Sequence, residues 1–157
     1  RFRMTNDPTP AQPVNPMIRV LAQYAKSAQF TSQDGAQISG AEEAPSIEIG
    51  VDLQSNPVGN EQRIFETVLK LMARAHRGDE SVFEIELAYA GIFDLSGAEA
   101  DQVEPILMID CPQLLFPFAR RVIADLSREG GFPPLLVDPI DFRGLYRDQL
   151  ERSASGA

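Results

Sequence analysis

The chain has 157 residues, with 14 Lys+Arg against 23 Asp+Glu and a formal charge of −9. That length suits one domain with a real core, and so acidic a surface repels phosphate backbones, which argues against nucleic acid as a partner. One cysteine cannot close an intramolecular disulfide, no apolar run reaches bilayer-spanning length, and no signal-peptide core opens the chain, so the expected setting is a reducing cytoplasm without direct membrane insertion.

Residues 4–16 hold four prolines among small polar residues. An N-terminal arm over residues 1–16 is therefore expected to be disordered. Met4 reads as the natural start, with Arg1-Phe2-Arg3 an added remnant. Ile18 to Phe30 follows a strand pattern broken only by Lys26. It sets Ile18, Val20, Ala22, Tyr24, Ala28 and Phe30 on one side, and Arg19, Gln23, Ser27 and Gln29 on the other. Residues 31–44 are a polar loop. Ile47, Ile49, Val51 and Leu53 alternate with Glu48, Gly50 and Asp52, a half-buried strand. Asn56 to Gln62 turns. Ile64 to His76 suits helix or strand, and the turn signal Arg77-Gly78-Asp79 after it decides for an inner strand. Val82 to Leu95 puts Phe83, Ile85, Leu87, Tyr89, Phe93 and Leu95 on one face, with Glu84, Glu86, Ala88, Ala90 and Asp94 on the other.

Ser96 with Glu99 forms a capping-box pair, so a helix is expected to begin there. Pro105, Pro112 and Pro117 predict a bend within 97–118. The main helix then runs to Glu129. Leu114, Phe118, Val122 and Leu126 recur every four residues and are expected to pack on the chain's own sheet. Leu115, Phe116 and Ile123 would point elsewhere, toward a second subunit. Gly130 and Gly131 stop the helix. The next segment, FPPLLVDPIDF, is strongly apolar, yet its prolines forbid regular structure. Such a loop must either lie over a core or wait for a partner. Asp141 can cap a last helix carrying Phe142, Leu145, Tyr146 and Gln149. Residues 17–152 thus form one domain, and 153–157 a flexible tail. Strands first and helices last argue for α+β: a four-stranded antiparallel sheet followed by a long helix, a proline-rich crossover loop and a C-terminal helix.

Catalytic equipment is sparse. His76, the one histidine, sits between basic residues at a hairpin end and reads as solvated. No Cys/His cluster has metal-ligand spacing, and no nucleotide-binding or nucleophile-elbow motif occurs. Cys111 lacks an activating base and reads as a structural thiol. An enzyme is not expected, and neither is a metal or cofactor.

The stretch CPQLLFPFARRVIADLSREGGFPPLLVDPIDFRGLY resembles the C-terminal half of the SecB family of bacterial protein-export chaperones. The pieces that carry the likeness are Cys111-Pro112, Leu115-Phe116-Pro117, Ala119-Arg120, the Gly131-Phe132-Pro133 turn and Pro139-Ile140-Asp141-Phe142. Upstream, Tyr89-Ala90-Gly91-Ile92-Phe93 is similar to a strand end of that family, and Gln23 to Phe30 to its first strand. The resemblance spans roughly residues 18–150. It implies the same α+β architecture, assembled as a homotetramer, a dimer of dimers.

It also implies a task. Such chaperones hold unfolded preproteins without ATP and deliver them to the motor ATPase SecA. A client groove would draw on Ile49 and Val51 of the second strand, on Phe132, Leu135, Leu136 and Val137 of the proline loop, and on Phe142, Leu145 and Tyr146 of the last helix. Glu84 and Glu86 lie where the family's outer sheet face meets a basic, zinc-containing tail of the motor. The match there is incomplete: the Glu84 position is normally apolar, and Ser27 and Thr31 stand where acidic residues are usual. Two alternatives remain open at this level. One is a SecB-like chaperone serving a toxin–antitoxin system. The other is a small α+β protein whose apolar groove holds a lipid or other small ligand.

Overall fold

The computed structural model describes residues 17–32 and 44–155. The expected disordered arm, most of the expected polar loop and the last two residues lie outside the described residues. Four strands build one antiparallel sheet: β1 (Arg19–Ser32), β2 (Ser46–Pro57), β3 (Ile64–Arg77) and β4 (Glu80–Asp94). Their order is β1-β4-β3-β2, so β3 and β4 lie inside and β1 and β2 form the edges. The stretch from Ile64 is indeed an inner strand. Its odd-numbered residues Leu69, Leu71, Ala73 and Ala75 enter the core, while Lys70, Met72 and Arg74 face outward. Gly78, at φ 61°, accepts the left-handed backbone of the tight turn into β4.

β1 departs from the expected pattern. Its pairing with β4 shifts register between Val20 and Ala22, and again between Ala25 and Ser27. Each extra residue reverses the side to which the following side chains point. Val20 therefore pairs with Phe93 on the core face, Ala22 and Tyr24 pair with Ile92 and Ala90 on the outer face, and Ala28 and Phe30 return to the core face opposite Leu87 and Ile85. The expected single apolar side of β1 is thus split in three.

Tyr24 caps a small second cluster with Val68, Ala88 and Ala90. Its hydroxyl donates to Glu66, whose other oxygen accepts from Lys26 at 2.8 Å, tying edge strand β1 to β3 across β4. The hydrogen bonds from Lys26 and then Tyr24 hold the Glu66 carboxyl below its ordinary pKa of 4.5. A lowered carboxylate pKa contributes stability that is complete above the ordinary value and is lost as pH falls through the folded one. Urea unfolding is therefore expected to weaken more steeply below about pH 4.5 in the wild type than in Glu66→Gln. Parallel pH profiles would show that the tie contributes nothing.

Residues 100–129 form an unbroken helical run, in which a π turn, Ile106–Asp110, precedes α1 (Cys111–Glu129). The cap differs from expectation. Glu99 is the N-cap and forms the capping box with Gln102, while Ser96 turns back to bond the Asp94 carboxylate through both its N–H and its hydroxyl. Pro112 has no N–H to continue the ladder, and just before it the Cys111 N–H reaches Ile106 O, the longer π-type bond.

The two faces of α1 are exchanged relative to the sequence expectation. Leu115 and Ile123 are completely buried and Phe116 is buried beside them, packed with Ala119 against the sheet. Leu114 and Phe118 are instead 42% and 49% exposed. Four residues advance a helix by about 400°, so an every-fourth stripe drifts by about 40° at each step. The stripe starts outside at Leu114 and Phe118 and ends half-buried at Val122 and Leu126. Leu115, Phe116 and Ile123, expected at an oligomer interface, are core residues of this subunit.

α1 ends in a Schellman motif: Phe132 N–H bonds Ser127 O at 3.1 Å, Gly131 N–H bonds Arg128 O at 3.0 Å, and Gly131 has φ 89°. The crossover loop then leads to α2 (Phe142–Ser155), which Asp141 caps through Gly144 N–H at 3.0 Å, as expected. α2 continues through Ser153–Ser155, where a flexible tail was expected.

Candidate functional site

α1 packs against β4 and β3 and touches β1, while the π turn before it meets β2. Ile47, Ile49 and Val51 share the helix-side face of β2 and remain 38%, 40% and 36% exposed. This strip borders a cavity of about 560 Å³ between β2 and α2. It is lined by Val51, Asp52 and Leu53 of β2, by Met108 of the π turn, and by Phe142, Leu145 and Tyr146 of α2. Gln149, Arg152 and Ser153 continue the lining toward the helix end. Phe142 meets Phe116 edge-on at 6.4 Å, and Arg120 lies 5.9 Å over the same Phe116 ring. The Phe116–Phe142 contact ties the start of α2 to α1, whereas Arg120 and Phe116 both belong to α1.

The nine residues expected to meet a client fall into three groups. Ile49, Val51, Leu136, Leu145 and Tyr146 are accessible or line the cavity, with Leu136 the most open at 69%. Phe132 and Leu135 are half-buried; the Phe132 ring sits 4.8 Å from Phe83 and 6.2 Å from Phe30. Val137 and Phe142 are core residues at 5% and 4% exposure, so neither is a free contact side chain, although Phe142 backs the cavity wall. Sequence reading missed Met108. Its place in the wall comes from the π turn, which no residue pattern announces.

The opposite face of the sheet carries Ser27, Thr31, Glu84 and Glu86. Thr31 pairs with Glu84, Gln29 with Glu86, and Ser27 with Ala88, so all four expected motor-facing residues share one surface. They are not electrostatically alike. Arg74 contacts Glu84 at 3.1 Å, which offsets one of the two carboxylates. Glu86 stands instead across from Met72, which is 50% exposed and lies over Gly50, between shallow depressions of about 280 and 400 Å³.

Burial, then the neighbouring Asp110 charge, push the Cys111 thiol up to about 12, so it is not a thiolate at neutral pH. No group of three potential metal ligands occurs among the described residues. His76 lies at the end of β3, as expected, 3.4 Å from Glu48. Among the described residues no helix is long and apolar enough to cross a membrane.

Residues 11–153 match the family described as preprotein translocase subunit SecB. The chain belongs to the SecB family. A protein-export protein SecB of Hyphomonas neptunium is 47% identical over 153 residues, covering 96% of this chain and 90% of that protein. Those of Maricaulis maris and of a Caulobacter species are 46% and 45% identical, over 90% and 82% of this chain and 82% and 78% of those proteins. Among solved structures, a SecB-like chaperone of Mycobacterium tuberculosis in complex with an antitoxin peptide aligns with a TM-score of 0.63. It is 14% identical and covers 79% of this chain and 91% of that one. At that identity it shows the SecB-like fold alone. The sheet, the long helix and the C-terminal helix read from the sequence are those of this family.

Proposed function

We propose that this SecB-family protein holds unfolded, export-destined chains in the cytoplasm and passes them to the motor ATPase SecA. The carrying observation is the cavity between β2 and α2 together with the exposed strip Ile47, Ile49 and Val51 beside it. A trough of mixed lining, bordered by an apolar strip along an edge strand, accepts aliphatic and aromatic side chains of an extended chain, without demanding one sequence. Each side chain buried there contributes about 1.5–3 kcal/mol. Several such contacts on one long client add through effective concentration, which gives firm holding with fast local release and no nucleotide chemistry. The net charge of −9 favours basic and apolar clients over acidic ones.

The outer-face surface of Glu84, Glu86, Ser27 and Thr31 supports motor docking, with Glu86 the less compensated carboxylate. Assembly as a homotetramer is supported by the exposed α1 residues Leu114 and Phe118 and by Val20 and Leu21 of β1, at 45% and 51% exposure. The export role is favoured over an antitoxin-guarding role because the relatives of 45–47% identity carry the protein-export name. The test is light scattering behind size exclusion, with one presecretory protein presented unfolded and then folded. A fourfold assembly that gains only the unfolded form is expected. A monomer that ignores unfolded chains, or one that carries a stoichiometric small molecule in native mass spectra, would overturn the reading.

A further inference from the structure

We infer that the Ser127 hydroxyl sets the register of the crossover loop, and so decides that Leu136 is the side chain the loop offers to a client. The inference rests on the client-holding function proposed above. Ser127 is completely buried on the face of α1 beneath the loop. Its Oγ lies 3.1 Å from Ile123 O and 2.9 Å from Ala124 O. Donating into those carbonyls engages its single hydrogen, and its lone pairs are left pointing away from the helix. Leu135 N–H donates to that oxygen at 2.8 Å.

Beyond apolar packing, the loop has few hydrogen bonds to hold it. Pro133, Pro134 and Pro139 have no N–H to give. Among the described residues, the hydrogen bonds from residues 132–140 to α1 are Phe132 N–H to Ser127 O and Leu135 N–H to Ser127 Oγ. Both end on one residue. Beyond the second bond the chain alternates: Leu135 is half-buried against the core, Leu136 is 69% exposed, and Val137 is 5% exposed. Alternation in an extended segment means that a slip of one residue exchanges inside for outside. Apolar packing discriminates weakly between Leu135, Leu136 and Val137, which are similar in size and character. The directional bond from Leu135 N–H to a buried hydroxyl does discriminate, because it admits one backbone position only. Ser127 is thus a positioning residue, acting through the loop rather than touching the client.

The test uses the full-length protein with Ser127→Ala, Ser127→Cys and Ser127→Thr. The cysteine variant leaves no void and offers only a weak acceptor, so it guards against a simple folding failure in the alanine variant. Three readouts are needed: amide exchange at Leu135, mobility of a spin label carried at Leu136→Cys, and the dissociation rate of an unfolded presecretory client. Loss of the bond is expected to speed Leu135 exchange about tenfold and to loosen the label. Client dissociation is expected to accelerate about fivefold, and threonine to restore all three. Lower thermal stability with unchanged exchange and dissociation would overturn the inference. So would faster exchange with unchanged dissociation, since the loop's register would then be immaterial to the client. A wild-type protein that holds no client would sink the function instead, and the Leu135 exchange and the label would still decide whether Ser127 sets the register.

Discussion

Replacing Leu145 and Tyr146 together by aspartate is expected to weaken the holding of an unfolded client by at least about 100-fold, with little change in thermal stability. Leu145 is 44% exposed and Tyr146 is half-buried, and both line the cavity against β2. Each anchor loses about 1.5–3 kcal/mol of client burial, and a carboxylate on an apolar wall adds a desolvation cost when a client covers it. The folded subunit loses little, because neither side chain is sealed in its core. Phe142 provides the contrast from one turn earlier on the same helix. It is 4% exposed and packs on Phe116. Phe142→Ala is therefore expected to cost about 3–5 kcal/mol of folding stability, and any loss of client holding would follow from loss of the fold. Equilibrium competition titration with a fluorescent unfolded client, beside thermal melts, separates the two cases. Undiminished affinity in the double variant would remove α2 from the client site.

The contrast between Phe142 and Leu145 also marks how far sequence reading reaches. Alternation gave β2 and β4 their faces, and the Arg77-Gly78-Asp79 turn decided for β3, where Leu69, Leu71, Ala73 and Ala75 are buried and Lys70, Met72 and Arg74 are exposed. It failed on β1, where two bulges switch the side, and no residue type announces a bulge as Gly78 announces its turn. It also failed on α1, where both candidate faces are apolar. The stripe at Leu115, Phe116, Ala119 and Ile123 is the buried one, and a helix buries about three or four residues per two turns rather than every fourth. The apolar loop was legible as a segment, but not which of its residues turn inward. Leu135, Leu136 and Val137 are chemically alike, and their order of burial depends on a bond to Ser127, eight residues earlier than Leu135.

The corrected faces of α1 lead to the second large effect. Leu114→Glu with Phe118→Glu is expected to dissociate the proposed assembly by at least about two steps of tenfold in its equilibrium constant. Light scattering at matched concentrations would read this as a fall toward the mass of a single chain. The subunit's own core cannot supply the partner for these side chains, since Leu115 and Ile123 on the other side of the helix are already at 0% exposure. Phe118 stacks on Tyr89 at 6.3 Å with the rings 3° from parallel, and Tyr89 is 8% exposed beneath it. One face of the Phe118 ring is thus spent on the subunit, and the rest of the ring is exposed. In an interface related by a two-fold axis every substitution counts twice, and a carboxylate near the axis meets its own image. The repulsion then adds to the lost apolar burial instead of replacing it. The cavity on the far side of α1, walled by β2 and α2, keeps its residues in this variant. A dissociated chain is therefore expected to keep its local grip on a short client segment while losing the firm hold on a long one. The difference between short and long clients measures how much of the holding comes from several grooves acting on one chain. Equal losses for both would place Phe118 in the groove rather than at the interface.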